Sequence, residues 1–110
     1  MGASKDRLYG TLNLLVLRAL KDGVSLNGYD ITERVQRASY AVLKMEEGSL
    51  YPALHRMEEA RWLRSEWDVS WNNRRARYYT MKAKGRRQLE ELEERWTKHV
   101  EAVARVLKHA

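Results

Sequence analysis

The chain predicts a mainly α fold with one small β-hairpin, and three observations carry that prediction. Apolar residues recur at helical spacing in separate blocks along most of the sequence. The polar run Asn72-Asn73-Arg74-Arg75 lies between two short stretches that can form strands, Trp62 to Val69 and Ala76 to Met81. A last apolar stripe keeps three- and four-residue steps from Leu89 to Leu107, which makes a long closing helix. A short helix followed at once by a cationic hairpin is the layout of a winged helix-turn-helix, here with a long C-terminal helix added.

The first helix is expected from about Asp6 to Lys21. Leu8, Leu12, Leu15, Val16 and Ala19 share one face, while Leu14 and Leu17 fall off that stripe. A helix that is apolar on two sides has two partners, the second of which could be another subunit. Gly23 is the expected stop signal. Asn27 can cap a second helix that carries Tyr29, Ile31 and Val35 and ends near Ser39. Ala41 to Met45 suit a short strand or an extended link.

The third helix should start between Glu47 and Ser49, with Ser49 as its cap and the glutamates at its positive end. Pro52 is expected in its first turn, where a missing N–H costs nothing. Leu50, Leu54 and Met57 make the buried edge. Pro52, His55 and Arg56 then point outward, flanked by Ser49 and Tyr51. In the hairpin, Asn72-Asn73 supplies the turn, and Leu63, Tyr79 and Met81 face inward. Trp62, Trp67 and Trp71 are expected to pack strands and turn.

The last helix should run from about Lys82 to Lys108, roughly 40 Å at 1.5 Å per residue. Leu89, Leu92, Trp96, His99 or Val100, Val103, and Val106 or Leu107 form a coiled-coil seam of nearly three heptads. A seam that projects beyond its own domain needs a partner chain. Leu14 and Leu17 of the first helix offer a surface for it. The expected division is therefore a DNA-binding unit over residues 1–81 and a dimerisation helix over residues 82–110.

Composition narrows the function. The 110 residues make one domain. There is no cysteine, which excludes disulfides, Cys-ligated zinc and thiol nucleophiles. No apolar run approaches a membrane span, and the first residues lack a signal-peptide layout, so a cytoplasmic protein is expected. The net charge of +6 is unevenly spread. Between Ser70 and Gln88 lie Arg74, Arg75, Arg77, Lys82, Lys84, Arg86 and Arg87 and no acidic residue; Glu90, Glu91, Glu93 and Glu94 follow. Such asymmetry fits a polyanion on one face.

The expected DNA contacts are Ser49, Tyr51, Pro52, His55 and Arg56 from the third helix, in a major groove, and Arg74, Arg75 and Arg77 from the hairpin, on phosphate or the neighbouring minor groove. Arg56 suits guanine or a phosphate. His55 suits a contact or a solvated position, and Tyr51 a phosphate or packing on the domain. The three histidines lie on different elements without metal-ligand spacing. The glutamates of the last helix are spaced for a solvated face, and neither a phosphate loop nor a nucleophile elbow is present. No enzyme, cofactor or metal is expected. A winged helix that binds a protein and never touches base edges is the alternative.

The sequence resembles the PadR family of bacterial transcriptional regulators. Gly48-Ser49-Leu50-Tyr51-Pro52-Ala53-Leu54 is close to the family signature, and Leu12 to Leu20 resembles its leucine-rich first helix. Gly28-Tyr29-Asp30-Ile31 resembles its "GYEI" element, with Asn27 where a histidine is usual. Arg74-Arg75-Ala76-Arg77-Tyr78-Tyr79 resembles the wing, although Met81 and Lys82 depart from the usual Leu-Thr. The resemblance implies a homodimeric repressor on a near-palindromic double-stranded operator, with the last helix crossing to the first helix of the other subunit. It further implies a small aromatic effector, stacked in some members on a tryptophan of the last helix; Trp96 stands at the matching place.

Overall fold

A computed structural model describes the backbone from Gly2 to Ala110 and the side chains from Thr11 onward. Met1 and the side chain of Leu8 lie outside the described residues. Helix α1 spans Gly2–Ala19. It gives way to a tight turn at Lys21–Gly23, where Asp22 and Gly23 take φ of 72° and 75°. Gly23 thus closes the turn beyond the helix rather than ending the helix itself.

A three-residue strand, β1 at Ser25–Asn27, follows. The hairpin strands are β2 at Leu63–Val69 and β3 at Arg75–Met81. All pairings are antiparallel in the order β1-β3-β2, so the expected two-stranded hairpin is a three-stranded sheet. Leu26 opposes Tyr79, and Trp67 opposes Arg77.

Helix α2 spans Gly28–Ala38. The buried Asn27 caps it, its Oδ1 accepting from the Asp30 N–H at 2.8 Å. After Ser39 the chain turns on Tyr40 and Ala41, with φ of 52° and 64°. The Ser39 hydroxyl secures this turn, accepting from the Leu43 N–H at 2.9 Å. No strand forms over residues 41–45.

Helix α3 spans Glu47–Glu59, and two expectations about it need correction. Its cap is Glu46, whose carbonyl accepts from Ser49 and Leu50; Ser49 lies inside the helix, and no side chain caps the end. Pro52 is the sixth helical residue, in the second turn, so the Gly48 carbonyl loses its i+4 donor. The helix closes on Arg61 at φ 66°, with the Trp62 N–H returning to the Met57 carbonyl at 2.9 Å.

Helix α4 spans Ala83–His109. It starts hard against the end of α3. A Cβ on Gly85 would lie 2.3 Å from the Trp62 carbonyl oxygen, so only glycine admits this approach.

The core joins Leu12, Val16, Leu17 and Leu20 of α1 and its end to Ile31 and Val35, to Leu50, Leu54 and Met57, and to Leu63, Met81 and Leu89. Truncating one of its fully buried leucines to alanine would cost about 2–5 kcal/mol. Two residues assigned by sequence to a contact between subunits are part of this core: Leu17 is fully buried and Leu89 is 3% exposed. The reason is the position of α1, which packs on α2, α3 and α4 at once. Its second apolar side therefore meets its own chain first. Leu14 and Leu92 remain half-buried at the edge.

The molecule is elongated, 54 × 29 × 29 Å, with a radius of gyration of 15.2 Å against about 13 Å for a compact chain of this length. The excess comes from α4, whose residues from Glu94 onward are all exposed.

Candidate nucleic-acid interface

The exposed face of α3 follows from its own periodicity. Leu50, Ala53, Leu54 and Met57 are buried, so Ser49, Tyr51, Pro52, His55 and Arg56 are exposed. His55 Nε2 pairs with Glu59 Oε1 one turn on, at 2.7 Å. Tyr51 lies over α2: a Cβ on Gly28 would come within 2.8 Å of its hydroxyl. That glycine lets the phenol settle flat while half its surface stays open, at 48% exposed.

The hairpin projects beside this face, and its tip is closed by hydrogen bonds. The Ser70 N–H and hydroxyl both donate to the Arg74 carbonyl, at 2.7 and 2.8 Å, and Ser70 also bonds Asn72. Asn73 carries the left-handed turn, φ 61°. Of the expected Asn72-Asn73 pair, only the second adopts it.

The three hairpin arginines differ in setting. Arg74 follows the turn and is exposed. Arg75 places its guanidinium 4.9 Å from the centre of the Trp67 ring. Arg77 approaches the same ring at 5.6 Å and is tied further: its Nε donates to the Ser65 hydroxyl at 2.7 Å, and its Nη2 lies 3.3 Å from Glu58 Oε2 on α3. Ser65 donates to the same carboxylate at 2.5 Å.

Tyr51, Arg74, Arg75 and Arg77 line a single open cleft of about 710 Å³ between hairpin, α2 and α3. None of the described residues lining it is acidic. Ser49, Pro52, His55 and Arg56 stand outside it, along the helix. Sequence reasoning did not place Tyr29, Trp67 and Trp71 in this cleft. They are 58%, 54% and 81% exposed, so Trp67 and Trp71 are not the packing residues expected of them. Trp62 is, half-buried against the core.

Two phenols of this face are shifted. Tyr29 donates to Glu33 Oε1 at 3.1 Å, and that carboxylate holds its pKa above the ordinary value. Burial raises Tyr79 likewise. Both stay neutral donors near pH 7.

Trp96 is 46% exposed on α4 and lies 5.9 Å from the His99 ring. Val100 and Val103 continue its stripe at 45% and 42% exposed. Among the described residues no group of side chains could hold a metal ion, and no helix is long and apolar enough to cross a membrane.

A helix with its polar face open beside a basic hairpin defines a winged-helix protein. The chain belongs to the PadR-like family of transcriptional regulators, whose family model matches residues 16–91. Solved structures agree. A PadR-like transcription factor from Bacteroides fragilis is 28% identical, with 96% of this chain and 99% of that one covered and a TM-score of 0.76. A PadR family regulator from Eggerthella lenta is also 28% identical, covering 99% and 93%, at 0.76. A PadR-like regulator from Bacillus cereus, 23% identical over the whole of both chains at 0.69, shares the fold. No curated protein matches the sequence. The family assigns the chain to DNA-binding control of transcription.

Proposed function

We propose that the chain is a homodimeric repressor that occupies a near-palindromic operator and leaves it when a flat aromatic effector binds. The observation that carries the dimer is the apolar stripe of α4, where Trp96, Val100 and Val103 stand open beyond the reach of the core. A surface of this kind is stable in water when a second copy covers it. Leu92 and Leu14 extend the stripe towards α1.

In this reading each subunit lays α3 in a major groove, with Arg56 and His55 towards base edges or phosphate and Ser49, Tyr51 and Pro52 along the backbone. Arg74 and Arg75 hold phosphates from the wing. Two copies reach successive grooves about 34 Å apart, which makes the operator near-palindromic. An effector stacked on Trp96 between subunits changes the angle between the two reading heads, and affinity falls because the half-site spacing no longer matches.

Sequencing the DNA fragments that co-purify with the protein tests this directly. The expected result is an inverted repeat whose half-sites are one helical turn apart, bound far more tightly than a scrambled duplex. Equal affinity for both duplexes overturns sequence-specific repression.

A further inference from the structure

Trp71 contributes little to the core. Its indole is 81% exposed at the tip of the hairpin, and among the described residues neither a ring nor a cation stacks on it. Trp67, five ångströms from Arg75, differs in this respect. An indole can bury roughly 150–250 Å², so one left in water forgoes a large apolar contribution to folding. The turn that presents it is closed by the two Ser70 bonds to the Arg74 carbonyl and by the Asn73 N–H on the Ser70 carbonyl at 2.9 Å. A solvent-facing indole on a hydrogen-bonded polar turn, with Arg74 and Arg75 close by in sequence, suits insertion into a polyanion. On one side of the indole the cleft has no acidic lining among the described residues; on the other, Trp71 borders a cavity of α2 where Asp30 and Glu33 are accompanied by Arg34 and Arg37.

We infer that Trp71 is an apolar wedge that enters the minor groove flanking each half-site and loosens one base step there, while Arg74 and Arg75 hold the phosphates on either side. The inference rests on the DNA-binding reading above. Wedges of this kind open and bend a duplex towards the major groove, and flexible pyrimidine–purine steps yield most easily. Trp71 thereby selects flanking sequence without a hydrogen bond to any base.

The experiment uses the duplex recovered with the protein, carrying 2-aminopurine at each flanking position in turn; emission rises where a base unstacks. The wild-type protein should raise emission at one position in each flank. Trp71→Ala should abolish that rise and weaken binding about tenfold, the scale of one aromatic–base contact. Because no charge is lost, the slope of log affinity against log salt should not change. Trp71→Phe should keep most of the affinity. The thermal melt of Trp71→Ala should match the wild type, since the side chain is exposed. Affinity within twofold of wild type, a flank that never responds to the wild-type protein, or a reduced salt slope each overturns the wedge. If the wild-type protein binds no duplex tightly, the DNA-binding reading fails and takes this inference with it; tight binding that is indifferent to Trp71→Ala defeats the inference alone.

Discussion

Glu58 of α3 and Arg77 of β3 are joined across 3.3 Å, with the Ser65 hydroxyl bonded to both. The pair ties α3 to the hairpin beside it, restraining the angle between the two. It also occupies one of the three hairpin cations before any phosphate arrives. At 42% and 28% side-chain exposure the pair is screened by solvent, so it contributes at most about 1 kcal/mol to stability. Its value is geometric.

The wing arginines should therefore separate in a salt titration. Arg74→Ala and Arg75→Ala should each flatten the slope by about 0.9 for a lost phosphate contact. Arg77→Ala should flatten it less and lower affinity mainly by freeing the hairpin. Equal slope changes for all three would show that Arg77 leaves Glu58 for phosphate on binding.

On α3, Arg56→Ala should cost about 1–3 kcal/mol on the operator if its guanidinium pairs with guanine. The check is the ratio of operator to random-duplex affinity. A loss equal on both makes Arg56 a backbone contact.

Replacing Val100 and Val103 together by glutamate should give a folded monomer with collapsed operator binding. Both residues are exposed beyond the core, so the helical circular-dichroism signal should survive. Light scattering that still reports a dimer removes the seam from the proposal.

A flat aromatic effector should quench part of the indole emission, and Trp96→Ala should abolish its binding and its release of DNA while leaving DNA affinity almost unchanged. Release that persists in Trp96→Ala places the effector elsewhere.

Gly85→Ala should destabilise the fold by about 1–3 kcal/mol, because the new methyl meets the Trp62 carbonyl, which is backbone and cannot swing aside. A thermal melt measures this, and an unchanged midpoint would mean that α4 shifts freely at its start.

Much of this architecture is legible in the residues, because four helices and a hairpin each announce themselves through local periodicity. What escapes is non-local. Strand β1 is three residues long and exists only because β3, more than fifty residues later, pairs with it. Helix geometry alone assigns Leu17 to a partner; it is buried on α1, which packs on three helices of its own chain, and spacing does not encode them. Ser49 has the chemistry of a cap, but the helix starts at Glu47 and leaves it inside. At the site, exposure of α3 follows from its buried edge. The aromatic lining of the cleft does not, since a tryptophan in a strand or turn reads as packing until its neighbours are known. Gly28 carried a clue: a glycine at a helix start suits close approach by another side chain, here Tyr51.

The free length of α4 also sets a mechanical scale. Val103 and Ala83 are separated by about 30 Å of rigid rod. Where two copies meet near Val103, a swing of only about 5° carries the start of the rod, and the winged body fastened there at Gly85, by roughly 2.6 Å, approaching the 3.4 Å rise of one nucleotide along a strand. In the proposed dimer, small repacking at the far end of α4 would become a displacement of nearly one base pair at α3 and the wing. The tight seat of Gly85 against Trp62 is what keeps that motion from being lost at the joint.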